Sequence, residues 1–123
     1  MREIKFRGKT RMSGEWVYGF YVERDGVDCG MIYDSTGLGT DVDKKTVGQF
    51  VNSLDKNKVD IYEGDIVHYK QEIFGANIDE IEVVENMTRW LRKVGYEERE
   101  MGQDYDEHSE VIGNIYENSE LLK

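Results

Sequence analysis

Short runs of alternating apolar and polar residues dominate the first half of the chain and predict β-strands. In the segment EWVYGFYVE, residues 15–23, the alternation separates the large side chains into two faces, Trp16, Tyr18, Phe20 and Val22 on one and Val17 and Tyr21 on the other. Asp25 and Gly26 then form a hairpin-turn signal, and the partner strand continues as VDCGMIY. Short strands separated by glycines predict a small, strongly bent antiparallel sheet or open barrel.

A first short helix is predicted near residues 44–54. Apolar residues in this segment recur at the i, i+3, i+4 and i+7 spacing of one helical face, as Val47, Phe50, Val51 and Leu54. Asp43 precedes the segment and is a suitable N-cap, whereas Gly48 lowers the helix propensity in its middle.

A second, amphipathic helix is predicted near residues 78–94. One apolar stripe runs along it and comprises Ile78, Ile81, Val84, Met87, Leu91 and Val94. Asn77 is the expected N-cap, Glu80 completes a capping box with it, and Gly95 supplies the expected left-handed stop. A stripe of this kind indicates core packing more often than a cofactor site.

These elements together predict a mainly β protein with added helix, of the α+β class. The chain has 123 residues, 38% of them hydrophobic, which is enough for one modest core. It contains no proline and no low-complexity segment that would mark a linker. We therefore expect a single domain over residues 1–123.

Charge is distributed unevenly along the sequence. The net charge is −10, but residues 1–58 sum to +1 and residues 59–123 to −11. The densest acidic run, EEREMGQDYDEHSE at residues 97–110, has seven acidic residues against Arg99. It is typical of a solvated surface loop, and the alternative is a surface that imitates the phosphate charge of nucleic acid.

Binding of nucleic acid itself is disfavoured by the acidic total. Two basic groups would favour it: Arg2, Lys5, Arg7, Lys9 and Arg11 at the amino terminus, and Arg89, Arg92 and Lys93 beside Trp90. If residues 2–7 form a strand, however, Ile4 and Phe6 share the core face and the charges between them are its solvated side.

The sequence predicts a cytoplasmic protein. No run approaches the roughly 18 apolar residues that span a bilayer, and the amino terminus has charges where a signal peptide needs an apolar run. The single cysteine, Cys29, cannot form an internal disulfide. It lies in an apolar segment, where a thiol usually acts as a small buried hydrophobe.

The segment IYEGDIVHY, residues 61–69, holds the clearest candidate for acid–base chemistry. Glu63 and Asp65 flank Gly64, and His68 follows three residues later. The same letters describe a tight turn that starts a β-strand, with Gly64 providing the backbone freedom and Asp65 bonding to nearby amides. We interpret the segment as this turn.

A cation site is the other candidate. Asp104, Asp106 and His108 alternate along the chain, and Glu110 follows. The calcium-loop pattern requires glycine and glutamate where this chain has Ser109 and Ile115, so only a looser divalent site remains as a hypothesis.

Three blocks of sequence resemble the YopX family of phage and prophage proteins. They are MREIKFR at the start, VDKKTVGQFVNSLDKNKVDIYEGDIV at residues 42–67, and VIGNIYENSELL at residues 111–122. The chain departs from the family pattern at four places: the family has proline near Lys44 and at Ser119, and glycine near Asn52 and Lys58. We expect its turns to differ there.

The resemblance implies an SH3-like β-barrel core with added helical structure, a phage origin, and self-association into trimers or larger assemblies. It implies no reaction, and no residue is assigned a catalytic, cofactor-binding or metal-binding role. We therefore expect a non-enzymatic phage accessory protein that acts through protein–protein binding or self-assembly, with a host or phage protein as a further partner. An acidic effector that binds a host DNA-acting protein is the alternative, and a metal-dependent enzyme is third.

Overall fold

The computed structural model describes residues 3–94 and 106–122 of the chain. The chain divides into two compact units, Met1–Phe50 and Val51–Lys123, called unit 1 and unit 2 below. Both are built mainly from β-strands. A single domain over residues 1–123 stays a prediction.

Unit 1 is an antiparallel sheet with the strand order β4-β3-β2-β1-β5. Its strands are β1 (Phe6–Lys9), β2 (Trp16–Glu23), β3 (Cys29–Tyr33), β4 (Gly39–Asp43) and the first part of β5 (Gly48–Leu54). An isolated bridge between Thr10 and Val42 curls the sheet by bringing the end of β1 beside β4. The predicted hairpin of β2 and β3 is confirmed.

The two faces of β2 differ in exposure. The inner face holds Val17 and Tyr21 and packs with the buried Ile32 and Val42. Glycines make room for this packing: a β-carbon at Gly30 would lie 2.4 Å from the Tyr21 ring. The outer face, with Tyr18, Phe20 and Val22, is exposed.

Unit 2 contains the remaining elements. They are the second part of β5, β6 (Asp60–Tyr62), β7 (Asp65–Ile73), β8 (Ala76–Val83), α1 (Met87–Val94) and β9 (Ser109–Asn114), with a short 3-10 turn at Ser119–Leu122. β7 is the central strand of a three-stranded antiparallel sheet of order β8-β7-β9. The hydrophobic core of unit 2 comprises Val51, Ile61, Val67, Val84, Trp90 and Leu91, with Met87 and Val111 packed against it.

The predicted helix near residues 44–54 is wrong for most of its length. Asp43 does act as an N-cap, since its Oδ1 accepts the amide of Lys45 at 3.0 Å, but it caps only a 3-10 turn, Lys44–Thr46. Gly48 then begins β5, and its neighbour Gln49 pairs with Phe6 of β1. Pairing with a distant strand overrides the local helical spacing, and β-branched and aromatic residues favour that outcome.

The predicted helix near residues 78–94 is wrong in its first half. Residues 76–83 form β8, which pairs with β7 along its whole length, so Ile78 and Ile81 lie on opposite faces of a strand. The helix begins at Met87, and its cap is Asn86, whose Oδ1 accepts the amide of Arg89 at 2.9 Å. The expected cap Asn77 stands opposite Glu72 in the sheet, and Gly95 lies outside the described residues.

The predicted SH3-like barrel is not confirmed. Within residues 3–94 and 106–122 the sheets are open and do not close into a barrel, although the protein is mainly β as expected. The bridge between Thr10 and Val42 joins β1 to β4 at one point only.

Three residues other than glycine have positive φ angles, among those described: Asn52 at 58°, Lys58 at 63° and Phe74 at 50°. Two of them, Asn52 and Lys58, lie near places where the family pattern has glycine, and their backbone takes a conformation that glycine adopts without strain. Lys58 lies in the turn between β5 and β6, where its amide bonds to the Asp55 carbonyl at 2.9 Å.

Candidate functional site

The corner between β6 and β7 contains Glu63 and Asp65, and His68 follows further along β7. Gly64 turns the chain there with a φ of +91°. Its amide donates to the Val84 carbonyl at 2.8 Å, and its carbonyl accepts the Ile115 amide at 2.9 Å. The predicted turn is therefore confirmed, and it is tied to two other segments of unit 2.

Asp65 belongs to the framework of this corner. Its side chain is buried, and Oδ2 accepts the backbone amide of Tyr62 at 2.8 Å. Its own carbonyl accepts the amide of Val84 at 2.8 Å. A carboxylate held in this way closes the turn and does not face a solvent-filled cavity.

His68 does not join Asp65. The two residues are three positions apart on β7, so their side chains point to opposite faces of the sheet. His68 is half-buried, and its Nε2 lies 2.6 Å from Oδ1 of Asp79 on β8. The three candidates thus form a turn and a separate surface pair, and the structure does not bring them together.

The second candidate cluster is only partly described. Asp104 and the acidic residues 97–105 lie outside the described residues, so the divalent site and the nucleic-acid mimic stay hypotheses. Asp106 is buried and its Oδ1 accepts the His108 amide at 3.3 Å, whereas Glu110 pairs with Lys56 at 3.3 Å. Within the described part of the chain, no group of three His, Cys, Asp or Glu side chains is arranged to hold a metal ion.

Asp55 is a buried carboxylate that the sequence reasoning missed. It is 1% exposed. Oδ1 accepts the amides of Asn57 at 2.8 Å and Val59 at 3.0 Å, while Oδ2 accepts the amide of Val111 at 2.8 Å. An aspartate before a turn is a recognisable signal for the first two bonds. The third joins the turn to β9.

The basic residues of the amino terminus lie over aromatic rings of unit 1. Lys5 stacks on Phe50 at 4.7 Å, and Arg7 and Lys9 stack on Trp16 at 4.4 and 5.7 Å. Arg7 is buried, although Ile4, predicted for the core face, is 62% exposed. Arg2 and the side chains of Arg92 and Lys93 lie outside the described part of the structure. Cation–π packing thus engages Lys5, Arg7 and Lys9, three of the five basic residues of the amino terminus.

Neighbouring groups displace the pKa values of three side chains in unit 1. Burial raises the pKa of Tyr21, with Glu23 adding to the rise. The hydrogen bond from the Thr36 hydroxyl lowers the pKa of Asp34. A hydrogen bond to Glu23 raises the pKa of Lys44, whose Nζ lies 2.8 Å from that carboxylate. Each shift follows from an ordinary local contact.

The most unusual surface in unit 1 is the outer face of β2 and β3. Tyr18, Phe20, Val22 and Tyr33 are 49, 64, 51 and 38% exposed. Phe20 stands opposite Tyr33, so the large side chains of the two strands are neighbours. We call these four residues the aromatic face. Sequence alternation placed the β2 residues together but did not show that their side is the exposed one.

Charged residues border the aromatic face on both sides. Lys9 of β1 stands opposite Trp16 of β2, on the same side of the sheet, and is partly exposed. Arg7, opposite Tyr18, lies on that side too but is buried. Beyond β3, Asp41 of β4 stands opposite Met31. The face is therefore an apolar centre with a charged border, which is the usual composition of a protein-binding surface.

Two comparisons complete this description. A family model described as YopX protein matches residues 5–123. No curated protein matches the chain. In the structure, none of the described helices has the length and apolar character needed to cross a membrane.

Proposed function

This chain belongs to the YopX family, and from that premise we propose that it is a non-catalytic phage accessory protein that acts by self-assembly in the cytoplasm of the host bacterium. The observation that carries the proposal is the aromatic face. Its four large side chains are contiguous and exposed on regular strands, and exposed apolar patches of this kind mark interaction surfaces. The candidate acid–base residues support it indirectly, since Asp65 is used inside a turn.

The charge distribution favours a second copy of the chain as the partner. Residues 1–50 contain eight Lys and Arg and eight Asp and Glu, so unit 1 is neutral, whereas residues 51–123 contain eight and eighteen and carry the whole net charge of −10. A contact made through unit 1 therefore avoids much of the repulsion between two strongly acidic chains. The border of the face also offers both signs of charge to a partner.

Phe20→Asp tests the proposal because it places a charge at the centre of the aromatic face. Val27→Asp is the matched control: Val27 is 46% exposed, lies in the turn between β2 and β3, and gives the same change in charge. Sedimentation velocity over a range of concentrations measures the assembly. We expect wild type and Val27→Asp to assemble, and Phe20→Asp to be weakened by about 100-fold or more and to sediment as a single chain of 14.4 kDa.

Two results would contradict the proposal. One is a wild-type protein that stays monomeric at every concentration reached. The other is a Phe20→Asp variant that keeps its native circular dichroism spectrum and assembles as well as wild type.

A further inference from the structure

The hairpin of β7 and β8 extends beyond its neighbouring strand. β9 pairs with β7 only from Asp65 to Tyr69, whereas β8 pairs with β7 as far as Ile73 and Ala76. We call residues 71–78 the arm. At its tip Phe74 is fully exposed and Ile73 is 39% exposed. The arm thus carries an apolar tip on a two-stranded extension.

Phe74 has an unusual backbone conformation for its residue type. Its φ is +50° and that of Gly75 is +81°, so both central residues of the turn have positive φ, as in the hairpin turns that favour Asn-Gly. A bulky side chain is disfavoured in this left-handed region. Because the Phe74 ring is fully exposed, it gains no burial that would offset the strain. Strain of this kind at an exposed position is typical of a binding element.

Charge indicates what the arm contacts. Residues 70–82 carry Glu72, Asp79, Glu80 and Glu82 against Lys70, so the hairpin is acidic. One border of the aromatic face includes Lys9, which is basic and partly exposed. An exposed aromatic tip on an acidic hairpin therefore complements an aromatic surface beside a basic residue.

We infer that Phe74 of one copy docks on the aromatic face of a second copy. The inference rests on the proposed self-assembly and identifies the second half of its interface. The contact is heterologous, because the surface given by one copy differs from the surface that receives it. Heterologous contacts generate rings when the rotation closes and filaments when it does not.

Phe74→Asn separates a binding role from a structural one. Asparagine adopts positive φ more readily than phenylalanine, so the variant should be more stable than wild type. Its Tm should be about 4 °C higher when both proteins are measured at a concentration low enough to keep them monomeric. Its assembly should be weakened by about 30-fold or more in sedimentation velocity. Lys58→Gly is the control, since it relieves the same kind of strain at an exposed turn without an aromatic ring, and it should assemble as wild type does. Lys58→Gly and wild type are compared with added salt, which screens the loss of the lysine charge.

Mixing variants tests whether the contact is heterologous. Phe74→Asn lacks the tip but keeps the face, and Phe20→Asp lacks the face but keeps the tip. Each variant alone should stay largely monomeric at a concentration where wild type assembles. An equimolar mixture of the two, with one variant fluorescently labelled, should form a heterodimer through the one intact interface. A mixture that stays monomeric while wild type assembles would overturn the inference.

The two proposals fail in different ways. A monomeric wild type contradicts self-assembly itself. An assembling wild type with a Phe74→Asn variant of equal affinity contradicts only the role of the arm. A Phe74→Asn variant that is less stable than wild type would show that the ring supports the fold, and it too would overturn the inference.

Discussion

Asp55→Ala is expected to lower the free energy of unfolding by roughly 4 kcal/mol. The carboxylate is 1% exposed and accepts three backbone amides, those of Asn57, Val59 and Val111. Alanine removes both carboxylate oxygens, so three partly buried backbone donors lose their acceptor. A hydrogen bond to a charged group contributes about 1.5 to 3 kcal/mol, and removal of a buried carboxylate from a network lies at the high end of single substitutions.

Asp55→Asn separates the contributions of the two oxygens. Its amide oxygen can keep the two bonds within the turn, but its NH2 group would face the Val111 amide, so two donors would oppose each other. We expect a loss of about 2 kcal/mol in urea unfolding. Asp41→Asn, on the exposed part of β4, is the control and should change stability by no more than about 0.5 kcal/mol. An Asp55→Ala variant as stable as this control would contradict the structural role of Asp55.

Gly19→Ala is expected to lower the free energy of unfolding by roughly 3 kcal/mol. Gly19 lies in the middle of β2 with a φ of +153°, a conformation that residues with a β-carbon rarely adopt. A β-carbon there would lie 2.1 Å from the backbone carbonyl oxygen of Tyr33. Because that atom belongs to the paired strand β3, the clash can be relieved only by moving one strand away from the other.

Gly26→Ala is the control for Gly19→Ala. Gly26 also has positive φ, at +76°, but nothing lies within 4 Å of a β-carbon at that position. Gly26→Ala therefore measures only the cost of placing alanine at a positive φ, about 1 kcal/mol. Both variants are measured by urea unfolding with circular dichroism detection. Equal losses for the two variants would show that the close approach at Gly19 is not the cause.

Local patterns predicted the hairpin of β2 and β3 because strand alternation and a two-residue turn signal are both short-range. They did not predict which face of β2 is exposed. That depends on glycines elsewhere in the sheet: Gly8 and Gly30 leave space on the inner face for Ile32, Val42 and Tyr21. The packing partners lie on other strands, so a window along β2 does not contain them.

The helix predictions failed for the same physical reason. Apolar residues at i and i+3 fit a helix, yet in β8 the spacing places Ile78 and Ile81 on different faces of a strand. The hairpin pairing with β7 decides the outcome, and its turn contains Phe74, a residue that sequence rules do not associate with positive φ. The part that did form a helix begins after β8, at Met87.

The corner at residues 61–68 could be read from sequence because its turn is closed locally. Gly64 supplies the positive φ, and Asp65 bonds back three residues to Tyr62. Asp55 could not be assigned fully, since its third bond is to Val111, 56 residues away. The arm was also missed, because its extension beyond β9 is visible only when the register of all three strands is known.

Hydroxyl-radical footprinting of the wild-type protein, compared between dilute and concentrated solutions, shows whether the aromatic face and Phe74 become covered on assembly. We expect oxidation of Tyr18, Phe20, Tyr33 and Phe74 to fall as the protein assembles, because one interface covers all four. Oxidation of Met12, which is fully exposed and belongs neither to the arm nor to the aromatic face, should stay the same. An assembled protein in which these four aromatic residues are oxidised as fast as in the monomer would contradict an interface formed by the arm and the aromatic face.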